Sequence, residues 1–202
     1  MMRAAATAAL LLALAPASQA APADKTFDTF KRFCVETHAD AAAMAAVADR
    51  AHWAPMPQSL IDKFNHGAKM DNLAGRMRSS QTSVTFVIAE HGTSPDGSFI
   101  GNLCVFLSVP APKSDIERSA RALAGVDADP DSPGAHAMYM WQDLDGRHVP
   151  VKQGDPDMAR LIAEKRVSAL MVTKDDQGAM LGFMIPTEQT VNADPPDGKT
   201  GN

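Results

Sequence analysis

The stretch Val84 to Val109 reads VTFVIAEHGTSPDGSFIGNLCVFLSV. Its two ends, Val84 to Glu90 and Phe99 to Val109, are β-branched and aromatic runs, with Pro95-Asp96-Gly97 between them. Branched and aromatic side chains suit a pleated, half-buried surface, and Pro-Asp-Gly suits a turn. The stretch predicts an antiparallel hairpin with a long loop. Two more hairpins follow. Ala137 to Asp143 and Arg147 to Lys152 flank Asp145-Gly146, a dipeptide that favours a tight hairpin turn. Val167 to Thr173 and Met180 to Ile185 flank Asp175 to Gly178.

Upstream the period is helical. Phe27, Phe30 and Cys34 recur at three- and four-residue steps, predicting a helix over 26–37. Asp40 is placed to cap a second helix running to Ala51, with Met44, Val47 and Ala51 as its apolar line. Trp53 and Pro55 end it. Pro57 opens a third helix from Gln58 to Asn65, with Leu60, Ile61 and Phe64 inward and Gly67 as the stop. Ser114 is placed to cap a helix from Asp115 to Ala124, and Asp155-Pro156 starts another that reaches Lys165. Residues 126–135 are rich in Pro, Asp and Gly and predict a loop. Helices followed by hairpins with intervening helices make an α+β domain, in which N-terminal helices pack on an antiparallel sheet built from three hairpins.

The chain has 202 residues, of which 45% are hydrophobic and 21% charged, with a formal net charge of −5. That is the balance of an ordinary globular chain, and it excludes a collagen, a disulfide-dense miniature scaffold or a wholly disordered protein. No basic cluster suits a nucleic acid or an anionic lipid surface. Residues 1–20 read as a secretory signal peptide. Arg3 gives a positive start, Ala4 to Ala15 an apolar run, and Ser18-Gln19-Ala20 a small-residue cleavage site. The apolar run is too short for a permanent membrane span. A single domain is expected over 21–186, with a tail over 187–202 that lacks the apolar residues to fold. The expected location is the periplasm or the cell exterior.

Cys34 and Cys104 are the two cysteines. In an oxidising compartment an even pair predicts one disulfide, stapling the first helix to the strand after Phe99. Two free thiols in a redox or metal role are the alternative, although the chain has no C-x-x-C.

Thr26-Phe-Asp-Thr-Phe-Lys-Arg-Phe-Cys34, followed by an Ala-rich helix ending at His52-Trp53, resembles a pattern in uncharacterised proteobacterial exported proteins. There an F-x-x-F-C helix precedes an aromatic turn of the G-W kind, and His52 stands here where the pattern has Gly. The resemblance covers Phe27 to Trp53. It implies export and a paired cysteine.

Signatures of serine hydrolases, zinc proteases, P-loop proteins and dinucleotide-binding folds are absent. The most pointed chemistry is His136-Ala137-Met138-Tyr139-Met140-Trp141. In a strand His136, Met138 and Met140 share one face, and imidazole with thioethers suits Cu(I) or Ag(I), with a nearby indole to cover the ion. Methionines alternating along a strand also serve as core filler. Asp127-Ala128-Asp129-Pro130-Asp131 resembles the start of a calcium loop, but Ser132 and Met138 stand where that loop needs Gly and Glu. It reads as a solvated acidic loop. His91, beside Glu90, or His52, near Trp53 and His66, could serve as the base of a motif-poor hydrolase, although Glu90 and His91 point to opposite faces of a strand. Asp143, Asp145 and His148 surround a tight turn, which accounts for the acids. The leading expectation is a non-enzymatic domain that binds another protein or an envelope ligand, with a soft-metal binder and a hydrolase as alternatives.

Overall fold

The computed structural model describes residues 25–64, 70–93, 100–132 and 136–188. The expected signal segment, His66, the Gly67 helix stop, the Pro95-Asp96-Gly97 turn and residues 189–202 lie outside the described residues. The elements run α1 (Lys25–Phe30), a π-helical turn (Lys31–Val35), α2 (Ala41–Arg50), β1 (Ala54–Pro55), α3 (Gln58–Phe64), β2 (Met70–Ser79), β3 (Val84–Thr93) and β4 (Ile100–Val109). They continue through α4 (Ile116–Ala124), β5 (His136–Leu144), β6 (Arg147–Pro150), α5 (Met158–Ala163), β7 (Val167–Lys174) and β8 (Ala179–Glu188). All eight strands form one antiparallel sheet in the order β1-β2-β3-β4-β8-β7-β5-β6. The fold is α+β, with the N-terminal helices on the sheet.

The three expected hairpins are β3-β4, β5-β6 and β7-β8. The last pairs centrally, because β8 inserts between β4 and β7. β8 also outlasts its expected end at Ile185, since Ile100 pairs with Glu188, so Thr187 belongs to the sheet rather than to a tail. β2 was not expected from the sequence. Its stretch MDNLAGRMRS has no β-branched residue. Pairing with β3 over most of its length, not intrinsic preference, makes it a strand.

The main core lies on one face. Phe30, Phe33, Met44 and Ala48 from the N-terminal helices and Ile116 and Ala120 from α4 pack on Val87, Phe106, Leu170, Leu181 and Phe183. Phe33 meets Trp53 edge-on at 4.9 Å, and Trp53 meets Phe106 at 6.2 Å. Cys34 and Cys104 stand at disulfide distance with Cα atoms 5.4 Å apart, fixing the π-helical turn to β4. Among the described residues no cysteine is free.

Asp40 caps α2 as expected, accepting from the Ala43 N–H at 2.7 Å. The buried line of α2 is Ala41, Met44 and Ala48; Val47 and Ala51 lie at its edge. The cap of α4 is Asp115 rather than Ser114, because the Asp115 carboxylate reaches the Arg118 N–H at 3.1 Å. The Ser114 hydroxyl is buried without a partner. α5 starts at Met158, three residues after Asp155, whose carboxylate is taken by the Asp157 N–H in a turn. α2 ends with Trp53 N–H donating to the Ala48 carbonyl and His52 N–H to the Asp49 carbonyl, the six-to-one and five-to-two bonds of a Schellman cap. That cap needs a left-handed residue, and His52 supplies it with φ of 60°. The same requirement explains a Gly at this place in the G-W pattern.

Candidate functional site

Strand alternation divides the sheet into a helix-covered face and a second face. On the second face five adjacent strands (β3, β4, β8, β7, β5) align three rows of side chains. The first is Phe86, Leu107, Met180, Thr173 and His136. The second is Ile88, Val105, Gly182, Met171 and Met138. The third is Glu90, Leu103, Met184, Ala169 and Met140. None of these side chains belongs to the main core cluster. Most are half-buried, as neighbours standing side by side under no further layer would be.

Two short helices pack against parts of this face, and α5 reaches as far as β8, the middle strand of the five. Met56 and Ile61, before and on α3, close over Gly75 of β2. Leu161 of α5 forms a small separate cluster with Val151 and Val167, against which Met140, Met158 and Ile162 pack. Val105, Leu107, Met171 and Met180 are half-buried and belong to neither core cluster. Each row spans about 20 Å at about 4.8 Å between strands, and the three rows span about 14 Å, giving a footprint of roughly 300 Å².

The β5 end of the face is rich in methionine. In the nine positions of β5, β7 and β8, five are Met: Met138, Met140, Met171, Met180 and Met184. The chain as a whole has 12 Met in 202 residues, so chance would place fewer than one there. Met171 is the centre. Met138 faces it directly, and Met140, Met180, Met184 and His136 occupy its four diagonals. Its other direct partner is Gly182, and the Met171 methyl fills the space there, 3.4 Å from where a Cβ would lie. His136 is exposed, and its Nδ1 lies 2.5 Å from the Thr173 hydroxyl.

His136, Met138 and Met140 thus do share a face. They span about 13 Å along the strand, so one ion cannot take all three. The expected indole cover fails: Trp141 points to the other face, buried between Phe183 and His148. The donors that complete the group, Met171, Met180 and Met184, come from the β7-β8 hairpin, which the sheet order sets beside β5.

The other candidates are dispersed. Glu90 belongs to the open face, where burial holds its carboxyl above the usual carboxylate range. His91 lies on the helix face in a cleft of about 550 Å³ beside Asn72 and the start of α2. Asn102 donates from Nδ2 to the His38 carbonyl at 3.1 Å, so its Oδ1 accepts from His91 Nδ1 at 3.0 Å. That leaves Nε2 as an acceptor. No serine or cysteine nucleophile is bonded to it among the described residues. His52 is an exposed helix cap.

The acidic loop is only partly solvated. Asp129 is buried and accepts from the N–H groups of Gln153 and Asp131, at 2.7 and 3.0 Å, which hold its carboxyl below the usual range. Asp127 pairs with Arg121. Those contacts make the loop a clamp onto the residues after β6, and two of its three carboxylates are engaged. Beside it, His148 Nδ1 donates to the Ala124 carbonyl at 2.7 Å, closing the C-terminal end of α4. Among the described residues no group of three His, Cys, Asp or Glu side chains is arranged to hold a metal, and no helix is long and apolar enough to cross a membrane.

No family model, curated protein or solved structure matches the chain.

Proposed function

We propose that this is an exported, non-enzymatic binding domain that takes its ligand on the open, methionine-lined face of the sheet. The observation that carries the reading is the half-buried apolar strip of β4, β7 and β8 carrying Val105, Leu107, Met171 and Met180, which joins neither core cluster. Sheets bury an apolar face against another layer, and a half-buried apolar strip outside the core is a place where a ligand can supply that layer. Methionine suits such a site because its flexible thioether repacks against varied ligands. The footprint is well below the ~800 Å² per partner of a stable protein interface, which favours a small ligand. Export is supported by the signal-type segment 1–20, by the resemblance over Phe27 to Trp53 and by the cysteine pair; the proposed compartment is the periplasm or the cell exterior.

The test is binding of an apolar fluorescent dye to the native protein. The reading expects saturable enhancement, lost in Val105→Lys, while circular dichroism shows that the variant stays folded. Dye that ignores the native protein, or binds Val105→Lys equally well, would remove the face as a site.

A further inference from the structure

Resting on the proposal that the open face is the binding site, we infer that its β5-β7-β8 corner binds a soft monovalent cation, Cu(I) or Ag(I), through thioethers centred on Met171.

The donors are brought together by register. Directly opposed residues on adjacent strands have Cβ atoms about 5 Å apart, so Met138 and Met171 can both turn their sulfurs to one ion. Met180 lies on a diagonal from Met171, two residues from Gly182, whose missing side chain gives the space that the Met171 methyl fills. His136 stands in the same row as Met180, on the other side of Thr173. Its Nδ1 is engaged by Thr173, which orients the ring and leaves Nε2 for a metal. A partner on the second nitrogen is the usual arrangement for a ligating imidazole.

The chemistry of the set is selective. Neutral thioethers with one imidazole are soft donors that suit Cu(I) and Ag(I) and hold hard divalent ions poorly. No carboxylate stands in the nine positions of the corner; Glu90 lies two strands away, on β3. With Cys34 and Cys104 bonded to each other, no thiolate competes for the ion. Plain packing would be served as well by Leu or Ile, which have no donor atom. Filling the space at Gly182 accounts for Met171 alone, and the other four Met of the nine positions are what packing leaves unaccounted for.

Titration of the purified, disulfide-intact protein with Ag(I), a redox-inert probe, tests the inference. It is read by calorimetry and by carbon-13 shifts of labelled methionine methyl groups. The expected result is saturation at one equivalent, the largest shifts at Met138, Met171 and Met180, and at least a tenfold loss of affinity in Met138→Leu/Met171→Leu. That double change conserves volume, so the fold persists. Met44→Leu, in the main core, should bind as the parent does. Absence of saturable binding, or an affinity unchanged by the double substitution, overturns the inference. If Ag(I) fails while the apolar dye still binds the face, the metal assignment falls alone; if both fail, the site itself falls.

Discussion

Replacing Cys34 and Cys104 together by alanine removes the one covalent link between the N-terminal helices and the sheet. The two residues are 70 apart in sequence and neither has exposed surface. Chain-entropy arithmetic for a loop of that length gives about 4 kcal/mol at 25 °C. The lost sulfurs add about 0.8 kcal/mol each if they pack as a methylene does. The expected loss is therefore about 4–6 kcal/mol. In a domain of this size that corresponds to a midpoint lowered by roughly 10 °C or more. Urea unfolding at 25 °C, followed by circular dichroism, measures the difference directly. A loss below about 2 kcal/mol would mean that only packing was removed and that the link constrains nothing. Two titratable thiols in the native protein would refute the premise outright.

Two other predictions concern single positions. His52→Gly should raise stability by about 0.5–1 kcal/mol, because a left-handed backbone disfavours any side chain, and urea unfolding reads the gain; a loss would show that the imidazole holds a contact of its own. Glu90→Gln should be more stable than the parent at neutral pH. Burial raises the folded-state pKa of Glu90, so the folded protein loses stability as pH rises through that value, and the advantage of Gln should close below about pH 4. A thermal-midpoint profile against pH shows this, and a parent more stable at pH 7 would contradict it.

Much of the fold is legible in local pattern. Val84 to Val109 carries its hairpin in its own side chains, and Asp145-Gly146 carries the β5-β6 turn. The stripe Phe27, Phe30 and Cys34 places the first helix, although its second half winds as a π-turn. β2 is not legible, because Asp71, Asn72, Gly75 and Arg76 are poor strand formers and only pairing with β3 makes them extended. The site is legible by one strand only. Period two puts His136, Met138 and Met140 on a common face, but Met171, Met180 and Met184 of the β7-β8 hairpin join them only through the pairing of β5 with β7, which skips β6. The same alternation, followed one residue further, turns Trp141 away from the site. His52 carries a local signal of its own, since a Gly place at a helix end points to a left-handed cap.

The most direct test of the open face is the rate at which each methionine is oxidised by dilute hydrogen peroxide in the native protein, resolved by peptide mass spectrometry. Sulfur must meet solvent to react. The account predicts that Met138, Met171, Met180 and Met184 form sulfoxides well before Met44, which is fully buried in the main core. Protection of those four residues to the level of Met44 would mean that the face is covered, and the binding site placed there would be contradicted.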